Sequence, residues 1–161
     1  MLRTKVMAGV VAAASVLGLL ATPAPANQYT PRQYYGTWHK HASYGYHYRY
    51  YYYKPSADYA GYRHHYVIYY PSRPKYYYYY NPYTKTYWGR CPVKTDGKGE
   101  YSMLAEKDRK GKLEDIAEEA FPKPGKLPKI PEATDDATLD LPPDDLPPGG
   151  DTPADKAKDG K

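Results

Sequence analysis

Apolar residues are distributed very unevenly along this chain. Residues 6–21 form an uncharged, largely apolar run that follows Arg3 and Lys5. After residue 26 the Val, Ile, Leu, Met and Phe side chains number only 13, and tyrosine takes their place. All 23 tyrosines lie between Tyr29 and Tyr101. Any folded core beyond the first run must therefore be built largely from tyrosine rings.

Three tyrosine tracts, each closed by a nearby proline, have the composition of β-strands. They cover residues 48–53, 66–70 and 76–80. Aromatic and β-branched residues favour strands, and proline lacks the amide hydrogen that a ladder needs. Asn81 and Pro82 favour a tight turn, and residues 83–88 then alternate between two faces. The pattern predicts a hairpin of residues 76–80 and 83–88.

The first 26 residues have the organisation of a secretory signal peptide. A short basic start and the apolar run precede Ala24 and Ala26, which fit the small-x-small pattern that a signal peptidase cleaves. The sequence predicts cleavage after Ala26 and export by the general secretory route to the periplasm or the exterior. An uncleaved membrane anchor is the alternative interpretation, but a span needs about 20 apolar residues and this run is shorter. No transmembrane span is expected after cleavage.

Few aliphatic side chains predict a mostly disordered chain with a small antiparallel β-sheet, a hairpin or meander, in the tyrosine-rich part. Ordering costs about 1–2 kcal/mol per residue, which so few apolar groups do not offset over the whole length. The predicted organisation is a signal peptide at 1–26, an irregular basic segment at 27–65, a β region at 66–105, a charged segment at 106–121 and a disordered, proline-rich acidic tail at 122–161. Residues 112–120 fit a short helix and irregular structure equally well.

Charge divides the chain into two unlike parts. Residues 27–101 carry 11 Lys and Arg against three Asp and Glu, whereas residues 102–161 carry 10 against 15. This asymmetry indicates a basic aromatic region that makes contacts, together with an acidic tail. The tail either keeps that region solvated or folds back on it and masks it.

No set of residues points to catalysis, a cofactor or a metal centre. The five histidines are His39, His41, His47, His64 and His65. Their spacing matches no closed zinc site, and the chain offers a single cysteine to complete one. We therefore predict that the chain is not an enzyme and holds no metal, with weak surface binding of Cu(II) as the remaining alternative.

Cys91 is the only cysteine, so an internal disulfide is impossible. In an oxidising compartment a single cysteine is either a buried thiol or a bridge between two copies of the chain. Nucleophilic catalysis would require a positioned base that the sequence does not indicate. Cys91 is therefore a candidate for an intermolecular disulfide.

The tyrosines support three interpretations. They form a surface through which copies associate, as tyrosine-rich strands of low charge tend to do. Alternatively, they form an aromatic platform for envelope polysaccharide, or they are simply the core of a small sheet. Cytoplasmic nucleic acid is not an expected partner of an exported protein. The candidate binding residues are Trp38, Tyr76, Tyr78, Tyr80, Tyr83, Tyr87, Trp88 and Arg90.

The segment 76–92 combines a tyrosine run, Asn81-Pro82-Tyr83 and a Trp-Gly-Arg-Cys-Pro sequence. Together with residues 101–104, 121–125 and the Leu-Pro-Pro-Asp-Asp-Leu-Pro-Pro segment at 141–148, it resembles exported, tyrosine-rich bacterial proteins of no assigned function. The resemblance spans residues 76–148. It implies a bacterial origin and export, and it implies no activity.

The sequence favours a secreted or periplasmic structural protein that associates with the cell envelope and with itself through its tyrosine-rich region. The alternative function is a polysaccharide-binding module that acts through an aromatic platform. Expected partners are thus a second copy of the chain or an envelope polysaccharide.

Overall fold

The computed structural model describes residues 30–93 and 100–149. From Pro31 onward the described residues belong to one compact unit. Two features of the sequence lie outside the described residues: the signal peptide with its cleavage after Ala26, and the end of the acidic tail.

The described chain forms one antiparallel sheet of seven strands. The strands are β1 (Gln33–Tyr35), β2 (His39–Lys40), β3 (His47–Tyr53), β4 (Arg63–Tyr69), β5 (Tyr76–Asn81), β6 (Thr86–Pro92) and β7 (Ser102–Met103). The spatial order is β1-β3-β4-β5-β6-β7, and β2 pairs with the opposite end of β3 from β1. Strands β3 to β7 are therefore a meander, and β1 and β2 share one interrupted edge.

The predicted hairpin is present as β5 and β6. Asn81 supports its turn, because the side-chain Oδ1 accepts hydrogen bonds from the backbone N–H groups of Tyr83 (2.8 Å) and Thr84 (3.3 Å). Lys85 completes the turn in the left-handed region, with φ of 56°. The second strand begins at Thr86 rather than Tyr83, because the intervening residues form the turn.

Each side of the sheet carries its own apolar cluster. On one side, the side chains of Tyr51, Tyr53 and Tyr79 pack against Ile130 and Leu139 of the chain after residue 124. We call residues 125–149 the strap and this side the strap face. The strap lies on the sheet, turns back on itself through a bridge between Lys129 and Thr138, and adds no strand to the sheet among the described residues.

The opposite side, which we call the tyrosine face, is covered over only part of its width. Residues 104–121, the turn segment, place Leu104, Leu113 and Phe121 against Ile68 and Tyr78. The turn segment consists of three short 3-10 turns, at Glu106–Asp108, Leu113–Asp115 and Glu118–Ala120, where the sequence was compatible with a helix. The part of the tyrosine face on β1, β3 and residues 64–66 of β4 lacks such a cover in the described residues.

The prediction of a mostly disordered chain is overstated. The sheet begins at Gln33 rather than residue 66, and the strap is packed on it as far as the described chain extends. The physical reason is that each buried tyrosine contributes about 150–250 Å² of ring and side-chain surface. Aliphatic content alone therefore underestimates the core that this sequence can build.

Ion pairs join the basic part of the chain to the acidic part. Arg32 pairs with Asp135 (2.6 Å), Arg49 with Asp145 (2.6 Å), Arg90 with Glu118 (2.7 Å), and Arg63 with Glu132. All four acidic partners lie in the strap or the turn segment. The acidic region thus folds back on the basic one, as one of the two charge-based interpretations predicted.

Arg49 has the most confined of these pairs. Its guanidinium is 1% exposed and lies 4.0 Å from the ring centroid of Trp38. The carboxylate of Asp145 binds it, and the carbonyl oxygen of Asp145 accepts hydrogen bonds from Trp38 Nε1 (3.0 Å) and the Tyr77 hydroxyl (3.4 Å). One strap residue therefore satisfies three donors of the sheet.

We expect Gly89→Ala to destabilise the fold. A Cβ at this position would lie 2.3 Å from the ring of Tyr101, which is 3% exposed and has no room to withdraw. Overpacking of this kind costs about 1–3 kcal/mol, measured as a lower urea midpoint. The matched control is Gly125→Ala, where nothing lies within 4 Å of the added Cβ. Equal midpoints for the two variants would contradict the close packing of Tyr101 on Gly89.

We expect Asp145→Asn to lower stability by about 1–3 kcal/mol, because it leaves the buried Arg49 without its carboxylate. Asp144→Asn is the control, since Asp144 is exposed and forms no ion pair among the described residues. Urea unfolding of both variants, monitored by tyrosine fluorescence, gives the comparison. A midpoint shift of equal size in the two variants would show that Asp145 does not anchor the strap.

Candidate functional site on the open tyrosine face

Strand alternation determines which tyrosines face outward. In β3, residues 47, 49, 51 and 53 are buried under the strap, whereas residues 48, 50 and 52 are half-buried on the tyrosine face. The register of β3 with β4 pairs Tyr48 with Ile68, Tyr50 with Tyr66 and Tyr52 with His64. Two adjacent strands thereby present their aromatic residues on the uncovered side.

Tyr48, Tyr50 and Tyr52 of β3, together with four tyrosines outside β3 and β4, make one continuous row of seven rings, which we call the tyrosine ladder. In spatial order the ladder is Tyr44, Tyr46, Tyr48, Tyr50, Tyr52, Tyr34 and Tyr62. The successive ring centroids are 6.1, 6.5, 6.1, 5.4, 4.7 and 4.9 Å apart. Three of the six contacts are stacked, and the others meet edge to face. The spacing is that of direct aromatic contact.

A groove of about 560 Å³ lies where the ladder meets the turn segment. Its lining residues are His41, Tyr44, Tyr46, Tyr48, Tyr66, Ile68, Tyr80, Tyr87 and Gly111. This volume falls within the range of about 300–1,000 Å³ typical of ligand sites. The groove therefore offers a ligand aromatic rings together with phenol hydroxyls.

Three of the groove phenols, those of Tyr46, Tyr66 and Tyr87, are neutral at physiological pH. Burial raises the pKa of Tyr46 and of Tyr66 above the ordinary tyrosine value. Burial also raises the pKa of Tyr87, whose hydroxyl shares a 2.6 Å hydrogen bond with that of Tyr70. A neutral phenol both donates and accepts hydrogen bonds, so the groove is suited to ligands rich in hydroxyl groups.

The binding residues predicted from the sequence do not form one surface. Tyr80 and Tyr87 line the groove. Trp38 and Trp88 belong to the strap face, and Tyr78 is buried beneath the turn segment. The remaining three are Tyr76, Tyr83 and Arg90.

Arg90 is 6% exposed and stacks between Tyr76 (3.9 Å) and Phe121 (4.1 Å) while it pairs with Glu118. Tyr83 is half-exposed on the β5–β6 turn, against Arg63 (4.5 Å). Sequence reasoning missed His41, Tyr46, Tyr48 and Tyr66. Their only sequence signal was the every-second-residue spacing of Tyr46, Tyr48 and Tyr50, which the neighbouring tyrosines obscure.

The histidines are dispersed over the fold. His65 is 2% exposed, and burial lowers its pKa to about 3, so its imidazole is neutral. In residues 30–93 and 100–149, no group of three or more His, Cys, Asp and Glu side chains is arranged to hold a metal ion. Within the same residues no helix has the length and apolar character to cross a membrane.

Cys91 lies in the core of the strap face and is fully buried. Burial raises the pKa of its thiol to about 12, which leaves almost no reactive thiolate at neutral pH. A disulfide between Cys91 residues of two copies would thus require the strap to move away first.

Comparison with known proteins gives no relative: no protein-family model, curated protein or solved structure matches this chain. The fold and the groove therefore stand alone as indications of function.

We expect Cys91 in the native chain to resist a thiol reagent such as DTNB, and to react fully in denaturant. Ser43→Cys supplies an exposed thiol in the same chain as a positive control, because Ser43 lies in an exposed turn. Native Cys91 reacting as fast as the introduced thiol would contradict its burial under the strap.

Proposed function

We propose that this chain is an exported, envelope-associated protein that binds a neutral polysaccharide along its open tyrosine face. The observation that carries the proposal is the groove lined by six tyrosines that continues into the tyrosine ladder. The signal peptide predicted at residues 1–26 delivers the chain to the compartment where such polymers occur.

Sugar rings match this surface chemically. The C–H faces of a pyranose pack on aromatic rings, and its hydroxyls exchange hydrogen bonds with phenols that remain protonated. Tyrosine also immobilises little side-chain freedom on binding, since it has two χ angles. The open face thus provides apolar contact and polar contact within one side-chain type.

A polymer fits better than a single small molecule. The groove is open, and beyond Tyr48 the aromatic surface runs on through Tyr50 and Tyr52 to Tyr34. A chain of sugars seated in the groove would have further rings to contact along this direction.

The charge distribution favours a neutral ligand over a phosphate-bearing one. Four arginines, Arg32, Arg49, Arg63 and Arg90, are paired with carboxylates of the strap and the turn segment. Nucleic-acid binding depends on cations that are free to neutralise phosphates. These guanidinium groups are already neutralised within the chain.

Self-association remains a second candidate function. The contact would run through the tyrosine ladder rather than through pairing of strand edges. Edge pairing is disfavoured because β1 and β2 are short and interrupted and β7 has two residues, features that limit strand addition. Of the tract 76–80, Tyr77, Tyr78 and Tyr79 are buried core residues. The observation that favours association is the exposure of Tyr44 and Tyr34 at the open face, which points to contact through the ladder.

We expect Tyr48→Ala and Tyr66→Ala each to weaken binding to an insoluble neutral polysaccharide such as cellulose or chitin. The loss of one aromatic contact corresponds to about 0.5–1.5 kcal/mol, roughly a two- to tenfold increase in Kd. Co-sedimentation with the polymer measures it, and urea unfolding confirms that each variant is folded.

The matched control is Tyr59→Ala, because Tyr59 is 39% exposed and outside the groove. Binding that falls equally in all three variants, or wild-type protein that does not sediment with any polysaccharide, would contradict the proposal. Sedimentation velocity without polysaccharide tests the second candidate, which requires assembly of the wild type that Tyr48→Ala reduces.

A further inference from the structure

The tyrosine ladder is an unbroken series of oxidisable rings. From Tyr44 to Tyr62 every member contacts the next, with centroids no further apart than 6.5 Å. Because all seven groups are phenols in direct contact, moving an electron vacancy from one ring to its neighbour only exchanges one phenol for another, so the vacancy can be passed along the row. The electron vacancy left by a one-electron oxidation is therefore shared among the rings of the ladder and is not confined to the ring first oxidised.

Exposure along the ladder is strongly graded. Tyr44 is 72% exposed, the highest value among the exposed large apolar side chains of the described chain, whereas Tyr46, Tyr48, Tyr50 and Tyr52 are half-buried. An oxidised phenol becomes a lasting phenoxyl radical when its proton leaves to water. That step is easiest at the ring with most access to water, and the turn at residues 42–45 holds Tyr44 there.

We propose that Tyr44 is an oxidative coupling site, supplied by the tyrosine ladder, through which two copies of this chain become covalently joined as dityrosine. Tyr44 stacks on Tyr46 at an interplanar angle of 6° and also contacts the His41 ring, whose centroid is 4.6 Å away, yet it stays 72% exposed, so a second Tyr44 can approach its solvent side. The partner is a second copy, because a bond between two Tyr44 rings requires the Tyr44 of another molecule.

The reaction is a two-electron oxidation. Hydrogen peroxide, acting through a haem peroxidase, takes one electron from the tyrosine ladder of each of two copies. The vacancy moves to Tyr44, which releases its proton, and the two electrons and two protons reduce the peroxide to two molecules of water. The two radicals join by one carbon–carbon bond ortho to their oxygens. The two displaced ring hydrogens then move to those oxygens as both rings regain aromaticity.

Exposure alone does not define this site. Tyr59 is 39% exposed but, in the described part of the chain, has no aromatic neighbour. Tyr83 is 51% exposed and lies beside His64 and His65 rather than beside a tyrosine. Tyr34 is also exposed (39%) and belongs to the ladder, but it is held between Tyr52 and Tyr62. Tyr44 therefore combines the greatest access to water with a place in the ladder.

The test is to treat the purified chain with hydrogen peroxide and a haem peroxidase, without polysaccharide, so that the result is independent of the proposed binding function. We expect dityrosine fluorescence, a dimer that survives SDS and reductant, and a cross-linked peptide that maps to Tyr44. Tyr44→Phe should lose most of the dimer, and Tyr59→Phe should retain it. Phenylalanine keeps the ring and its packing, so the fold is preserved in both variants.

The ladder itself is tested by Tyr50→Phe, which leaves Tyr44 in place but interrupts the row of phenols. We expect a slower formation of dimer at Tyr44. Dimer yield unchanged in Tyr44→Phe, or cross-links distributed by exposure with Tyr59 and Tyr83 equal to Tyr44, would overturn the site. Unchanged dimer formation in Tyr50→Phe would overturn the inference that the ladder supplies electron vacancies to Tyr44.

Discussion

A core made of tyrosine must provide a hydrogen-bond partner for each hydroxyl that it buries, because an unpaired buried hydroxyl costs about 1–3 kcal/mol. The sheet meets most of this requirement from within, although the buried hydroxyl of Tyr101 has no hydrogen-bond partner among the described residues. The hydroxyls of Tyr35 and Tyr79 share a hydrogen bond of 2.9 Å, and those of Tyr70 and Tyr87 share one of 2.6 Å. Tyr51 donates to Gln33 Oε1 (2.6 Å). Because their hydroxyls are paired, these tyrosine rings can be buried in the place that aliphatic side chains take in an ordinary core.

The same requirement explains the strap. Its backbone carbonyls, such as those of Asp140 and Asp145, accept hydrogen bonds from Tyr35 and Trp38 at the rim of the core. A proline-rich segment outside the helices and strands suits this role, since carbonyls such as those of Asp140 and Asp145 are left for side-chain donors. Its carboxylates reach the arginines at the same time. Side-chain satisfaction and charge neutralisation therefore come from one segment, and its loss would expose both kinds of unpaired group.

Short sequence signals predicted local structure such as turns, but they did not predict how segments distant in the chain pack together. The Asn81-Pro82 turn acts through its own backbone, so the β5–β6 hairpin is visible in the sequence. Tyrosine runs such as 50–53 carry no contrast between faces, and the period-2 test needs that contrast to assign which rings are buried. The apolar residues of the strap follow no regular period, because the strap contacts the sheet through irregularly spaced prolines and single leucines. Its docking depends on residues such as Arg49 and Trp38, roughly a hundred positions away.

The open half of the tyrosine face follows from this arrangement rather than from an excess of apolar residues. The strap covers one side completely enough to bury Tyr51 and Val67, whereas the turn segment reaches only β4 to β7 of the other. Exposed contiguous aromatic surface on a folded domain ordinarily marks an interaction site. Mutual stacking lowers the cost of leaving these rings uncovered, because each ring in the ladder shields part of its neighbour. The ladder is thus stable enough to remain open, while its phenol hydroxyls stay available to a ligand.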